Sequence, residues 1–240
     1  MATPIANGLL ITGTDTDVGK TVLTSALVAY WQRHHGLHSL GLMKPIQAGL
    51  GDRELYTDLF DLNQTPEEIT PLQFEAPLAP PLAADLEGRT IDLAPVWTGL
   101  AQLLEQRQWV LVEALGGLGS PVTHEWTVAD WAAAWQLPIV LVVSVKLGAI
   151  GQAVANVALA RQHRLSIRGI VLNCASPEAV ERQADWAPMP LITRLTQLPV
   201  LGTLPWLANP RDLDQLVTGA SSLDLGGLWS QPPLMAQAVK

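Results

Sequence analysis

The sequence predicts an α/β fold with a mostly parallel central sheet and helices on both faces. Three observations carry this. A glycine-bounded turn, Gly13-Thr14-Asp15-Thr16-Asp17-Val18-Gly19-Lys20-Thr21, joins a short apolar run at 8–12 to a stretch of helical periodicity at 22–31. Strand, turn and helix then alternate along the chain, an order that calls for right-handed crossovers between parallel strands. The runs at 109–113 and 137–145 are almost wholly apolar and read as buried strands.

Composition sets the bounds. With 240 residues, 48% of them apolar and only 15% charged, a single domain over 1–240 with one substantial core is expected. A net charge of −8 and the lack of any Lys/Arg cluster argue against a nucleic-acid partner and against an anionic membrane surface. The lone Cys174 leaves no intramolecular disulfide framework or Cys-rich metal site and fits the cytoplasm. No targeting segment is read at the start, and the longest apolar stretch, 137–145, is too short to span a bilayer.

The opening turn reads as a phosphate-binding loop. Its glycines let backbone N–H groups face inward, the next helix offers its positive end, Lys20 adds a cation, and the Thr21 hydroxyl can ligate Mg2+. Five residues separate Gly13 from Gly19-Lys20-Thr21, one more than in the common form. The strand before and the helix after support the assignment, and the combination suits a nucleoside triphosphate in a P-loop NTPase-like fold.

The first helix should end near His34-His35-Gly36, and those histidines, neighbours on a helix and so pointing apart, read as a solvated end. A second strand at 38–43 ends at Lys44-Pro45. Lys44 lies at the strand's carboxyl end, where open parallel sheets place ligands; it is a second cation for an anionic ligand or a solvated loop lysine. Asp52, before a helix at 53–62, reads most simply as an N-cap, with a metal role as the lesser alternative. A capped short helix follows at 65–68, then an ordered excursion at 70–84 that covers a site, and a helix at 91–106.

The strand at 109–113 ends in Glu113, ahead of a flexible glycine-rich turn at 114–119. A carboxylate ending an apolar run needs a metal, a cation or water; Mg2+ shared with Thr21 would meet that need, and a solvated strand end is the alternative. A helix at 127–135 carries Trp131 and Trp135 after Trp126, all read as core or interface packing. Beyond it come a strand at 137–145, a helix at 149–163, a strand at 167–173 ending in Asn173, a strand at 200–203, a helix at 211–217, and a loose wrap from 218 onward.

Several of these stretches together resemble the dethiobiotin synthetase family. They are the 13–21 loop with its five-residue gap, Lys44-Pro45-Ile46-Gln47-Ala48-Gly49, Val110-Leu111-Val112-Glu113, Ala129-Asp130-Trp131, Val142-Val143-Ser144-Val145-Lys146-Leu147-Gly148 and Leu204-Pro205-Trp206-Leu207. The resemblance implies an ATP-dependent ring closure. 7,8-diaminononanoate takes up CO2 as a carbamate, the carbamate oxygen attacks the γ-phosphate, and the second amine closes a ureido ring with loss of phosphate.

It also implies residue roles. Mg2+ would be held by Thr21, Asp52 and Glu113; Lys20 and Lys44, with Thr16, would serve the reacting phosphate and carbamate. Gly13, Asp15, Asp17, Val18, Gly19, Lys20 and Thr21 would hold the nucleotide, with Asn173 and Pro205 at the adenine. The diamine would meet Thr16, Asp17, Lys44 and Ala48, and the turn Gly148, Ala149, Ile150 would bind its carboxylate across a homodimer interface. Departures from the family pattern are Asp17 in place of Glu, Ala48 in place of Ser, Ala114-Leu115 in the turn after Glu113, and Gly151 in place of Asn. Two alternatives stand beside this reading: a nucleotide-switch ATPase of the partitioning or metallochaperone type, and a related amide synthase.

Overall fold

The computed structural model describes residues 7–229. β1 (Gly8–Gly13) leads through the phosphate-loop turn into α1 (Lys20–His35), which stops at Gly36 with φ +80°; a 3-10 turn then precedes β2 (Leu40–Met43). β3 (Ile46–Ala48), α2 (Asp52–Leu59), α3 (Pro66–Ile69), β4 (Leu72–Phe74) and α4 (Pro80–Leu86) come before α5 (Ala94–Gln106) and β5 (Trp109–Gly117). The second half runs α6 (Val128–Trp135), β6 (Ile139–Ser144), α7 (Ala149–Gln162) and β7 (Ile167–Asn173). It continues with α8 (Pro177–Glu181), α9 (Gln183–Trp186), α10 (Met189–Thr196), β8 (Val200–Leu204), α11 (Leu213–Ser221) and α12 (Leu225–Trp229).

Six strands form one parallel sheet in the order β2-β5-β1-β6-β7-β8. Successive side chains of a strand point to opposite faces, and the packing follows that alternation. Leu9 and Ile11 join a core with α1, α11 and α12, whereas Leu10 joins the core built by α4, α5 and α6. On β6, Val140 and Val142 face α1, while Leu141 and Val143 face α7, α8 and α10. Helices therefore cover both faces, as the strand patterns predict.

Local chemistry sets the ends. Thr65 and Thr127 each accept from the backbone N–H three residues on, and Glu68 and Asp130 accept in return from the cap residue's N–H, so α3 and α6 begin with reciprocal caps. β2 lies at an edge, and there the Gln64 amide bonds both the N–H and the C=O of Leu42, standing in for a further strand.

The chain departs from the expectations in four places. The excursion after Thr70 holds β4, which pairs with β3 in a second, two-stranded parallel sheet, and α4; neither strand has a readable period at three residues. β5 runs on to Gly117, so Ala114 to Gly117 are strand where a turn is expected. Between β7 and β8 lie three short helices with no counterpart in the sequence reading. From Thr218 the loose wrap gives way to the end of α11 and to α12, whose Leu228 is buried; positions 230–240 lie outside the described residues. Of the tryptophans, Trp131 and Trp135 are core, and Trp126 is 41% exposed.

Candidate active site

Strand register assembles the site. β5 lies between β2 and β1, with Met43 opposite Val112 and Ile11 opposite Glu113, so Lys44, Glu113 and the phosphate loop all arrive at one carboxyl edge. The strand order reverses beside β1, and this is the crevice where such sheets bind ligands. A cleft of about 760 Å3 opens here, lined by Lys20, Thr21, Lys44, Asp52 and Glu113, with Thr16, Asp17, Gly19 and Ala48 at its walls.

The loop's shape depends on two glycines. A Cβ on Gly13 would stand 2.5 Å from Val18 Cγ2, because the loop folds back on itself. Gly19 has φ +96°, and a Cβ there would stand 2.0 Å from Asn173 Nδ2. Asn173 is itself buried at the end of β7, and its amide donates to the Val18 carbonyl at 3.0 Å. Asp15 accepts from the Thr16 N–H through its carboxylate and from Lys20 Nζ through its carbonyl at 3.0 Å.

Behind the loop lies a dense polar cluster. Thr21 Oγ1 is 3.0 Å from Asp52 Oδ1 and 3.0 Å from Glu113 Oε1, within hydrogen-bonding reach of both carboxylates. Lys44 Nζ lies 2.6 Å from Asp52 Oδ2 and 2.7 Å from Glu113 Oε1. Glu113 is 0% exposed and Lys44 5%, so neither is the solvated residue that its position alone allows. Asp52 does not cap its helix: Gly51 holds that position, and Asp52 is the first helical residue with its carboxylate turned to Thr21 and Lys44.

Burial by itself would favour neutral Lys44, but Glu113 and Asp52 outweigh it and hold the ammonium's pKa above its ordinary value. Burial likewise opposes the charge on Asp52, and Lys44 more than offsets it, so that carboxyl titrates below its usual range. Lys20 goes the other way: burial lowers its pKa against the pull of Glu113.

Three hard oxygens, each acidic partner 3.0 Å from the hydroxyl, fit a magnesium ion. Adjacent corners of an octahedron with Mg–O bonds near ~2.1 Å are about 3 Å apart. Among the described residues no three His, Cys, Asp or Glu side chains gather into a metal group, so the protein offers two carboxylates and a hydroxyl. That incomplete set suits Mg2+, which keeps waters and takes substrate phosphates.

Sequence reasoning misses Tyr56. It lies four residues after Asp52, on the same face of α2, is 0% exposed, and donates its hydroxyl to Glu113 Oε2 in a short hydrogen bond. The signal available was that i, i+4 pairing on a helix facing the cleft. Burial, then the charge of Glu113, push its phenol well above the ordinary value. Also missed is the frame of the β3–α2 turn, where Glu54 accepts from the Gly51 N–H and from Gln47, and Gln47 in turn accepts from the Arg53 N–H.

Other candidate residues lie apart from this cleft. The register pairs Asn173 with Leu204, and Pro205 follows that pair at the end of β8. Gly148 caps α7 with φ +92°, Ala149 is buried with its N–H on the Lys146 carbonyl, and Ile150 packs on the α7 core; none of the three lines the 760 Å3 cleft. A smaller cavity of about 450 Å3 is lined by the loop residues Thr14 and Asp15 and by Asn156 and Leu159 of α7, where the Asn156 amide donates to the Thr14 carbonyl at 3.4 Å.

Fold and site together define a phosphate-loop nucleotide-binding α/β protein. Solved structures agree on the fold: the MinC:MinD cell division complex of Aquifex aeolicus superposes with TM-score 0.58 at 17% identity, covering 95% of this chain and 98% of that one. A ParA family ATPase from Chlorobium tepidum TLS gives TM-score 0.54 at 14% identity over 92% and 97%. A family model described as an AAA domain matches residues 7–211. The ATP-dependent dethiobiotin synthetase BioD of Gloeothece citriformis is 57% identical over 217 residues, 90% of this chain and 96% of that protein. BioD 1 of Escherichia coli K12 is 35% identical over 84% of this chain and 92% of that protein. The chain belongs to the ATP-dependent dethiobiotin synthetase family.

Proposed function

We propose that the chain catalyses the ATP-dependent ring closure of 7,8-diaminononanoate with CO2 to dethiobiotin, ADP and phosphate, in biotin biosynthesis. The observation that carries this reading is the meeting of Lys20, Lys44, Thr21, Asp52 and Glu113 along one cleft, in a member of this family. Carbamate and γ-phosphate are both anionic and repel until cations stand between them. Lys20, at the loop, would face the phosphates. Lys44 would face the carbamate, and Thr16, Asp17 and Ala48 would line the diamine's side. No enzyme nucleophile is needed, since the carbamate is the nucleophile and fixed proximity does much of the work.

Thr21, Asp52 and Glu113 would hold Mg2+, which when bound offsets the charge of the β- and γ-phosphates. Lys44 now lies between the same two carboxylates, and a cation held there would release its ammonium toward the substrate. Asn173 and Pro205, at the carboxyl ends of β7 and β8, would flank the adenine. We also propose a homodimer in which Gly148, Ala149 and Ile150 of one subunit meet the carboxylate end of a diamine whose amines lie in the other subunit's cleft. The start of α7, with Gly148 at φ +92°, offers an anion its positive end, which supports that arrangement. Among the described residues no helix is long and apolar enough to cross a membrane, and the buried free thiol of Cys174 suits the cytoplasm.

Mass spectrometry after incubation with the diamine, bicarbonate, ATP and Mg2+ tests the reaction. Dethiobiotin should form in step with ADP. ADP release without dethiobiotin, and indifferent to the diamine, would overturn the synthetase reading in favour of a switch ATPase.

A further inference from the structure

Glu113 uses its two oxygens differently. Oε1 faces Thr21 at 3.0 Å and Lys44 at 2.7 Å, toward the cleft, whereas Oε2 accepts from the Tyr56 hydroxyl inside the core. Glu113 is 0% exposed, so bulk water does not reach Oε2 and the phenol is its partner. A terminal carboxylate torsion is broad, so packing of the glutamate stem does not by itself set the plane of the carboxylate. The phenol does. Tyr56 reaches it because α2 carries Asp52 and Tyr56 one turn apart, so one short helix brings both the second carboxylate and the donor that orients the first.

We infer that Tyr56 is a positioning residue for the metal: its hydrogen bond to Oε2 keeps Glu113 a ligand through Oε1 alone. The inference rests on the reading of Thr21, Asp52 and Glu113 as the magnesium set. Its consequence is selectivity. Magnesium asks for near-ideal octahedral geometry, while calcium accepts more oxygens and bidentate carboxylates. A glutamate free to turn both oxygens to the cleft would suit calcium better. Outer partners of this kind commonly change metal affinity by about 10- to 100-fold when removed.

The test uses Tyr56→Phe, which keeps the ring and deletes the hydroxyl, and reads metal binding rather than turnover. Displacement of Mn2+ from the ADP-loaded protein, followed by electron paramagnetic resonance, gives the affinities for Mg2+ and Ca2+. The expected result is Mg2+ binding weakened about tenfold or more, a clear loss of preference for Mg2+ over Ca2+, and metal-free ADP binding within about twofold of the parent. A lower melting temperature with Mg2+ affinity and the Mg2+/Ca2+ ratio unmoved would overturn the inference and leave Tyr56 a core tyrosine. Glu113→Gln separates the two levels. If it leaves Mg2+ affinity intact, the metal set itself is wrong; if it weakens Mg2+ and Tyr56→Phe does not, only the orienting role falls. Should Tyr56→Phe fail to fold, the chain's two tyrosines offer another route. With Tyr30→Phe and 3-fluorotyrosine incorporated, residue 56 gives a single 19F resonance. That resonance should move on adding Mg2+ to the ADP complex; a fixed resonance counts against the coupling.

Discussion

Replacing Lys44 with Met removes one charge and keeps the length of the stem. In the parent, the ammonium stands 2.7 Å from Glu113, which is fully buried, and 2.6 Å from Asp52, whose side chain is 30% exposed. Breaking a buried ion pair by removing one partner costs about 3–5 kcal/mol. Water can take over part of Asp52 but none of Glu113, so the lower end, about 3 kcal/mol, applies. For a chain of this size, each kcal/mol moves the melting temperature by about 2–4 °C, which gives a fall of roughly 6–12 °C. Added Mg2+ should restore about half of that or more, since a cation between the carboxylates replaces the lost charge and binds the folded state only. Turnover should nevertheless stay down by about 10²–10³, because the metal cannot also serve the carbamate. Differential scanning fluorimetry with and without Mg2+, beside steady-state kinetics, reads all three quantities. A melting temperature within about 2 °C of the parent, or one that Mg2+ leaves where it was, would refute the reasoning.

Lys20→Ala should lower turnover by about 10²–10³ while circular dichroism stays unchanged, since that lysine's hydrogen bond in the fold is to the Asp15 carbonyl of the loop. Gly19→Ala forces a Cβ onto the Asn173 amide at φ +96° and should weaken nucleotide binding severely; adding Asn173→Ala removes the clash but not the backbone strain, so the double variant should lose less than the sum of the two, and strict additivity in a binding titration would contradict the contact. Gly151 is exposed and a Cβ there meets nothing within 4 Å, so Gly151→Asp is tolerated by the helix start yet should raise the diamine's KM, with KM for ATP unaltered, if a substrate carboxylate docks on that turn. Glu54 is held down to about 2 from an ordinary 4.5: burial opposes this, but the Gly51 N–H, Gln47 and Arg53 prevail. Its stabilisation is therefore complete above 4.5 and lost as pH falls through the window down to about 2. The side chain is 37% exposed, so solvent screening leaves a small effect, about 1 kcal/mol, and Glu54→Gln should flatten the acid limb of an unfolding curve by that amount.

Much of this architecture is legible because strand and loop chemistry are local. The apolar run before Gly13 and the helix after Lys20 reveal β1, the loop and α1, and Asn173 falls at the very end of its expected strand. The two-stranded β3–β4 sheet was illegible for the opposite reason: three-residue strands carry no period, and their pairing depends on a contact between residues 46–48 and 72–74. Lys44 and Asp52 have innocent local explanations as loop and cap residues. Their approach to Glu113 is set by the β2–β5 register and by the Gln47–Glu54 turn, neither of which local pattern exposes. Tyr56 was hidden further, since a buried tyrosine on a short helix looks like ordinary core until its hydroxyl is seen on a carboxylate.

The charge on Glu113 also bears on how the chain comes to be folded. Its side-chain partners, Thr21, Lys44 and Tyr56, all precede it in sequence. A carboxylate that enters an apolar sheet unaccompanied costs several kcal/mol, so β5 can slot between β1 and β2 without penalty only after α1, the end of β2 and α2 have gathered. On a ribosome, which releases the chain from its N-terminus, those three segments emerge first. The receptacle is thus synthesised before the charge that it must neutralise, and the middle of the sheet closes as β5 arrives.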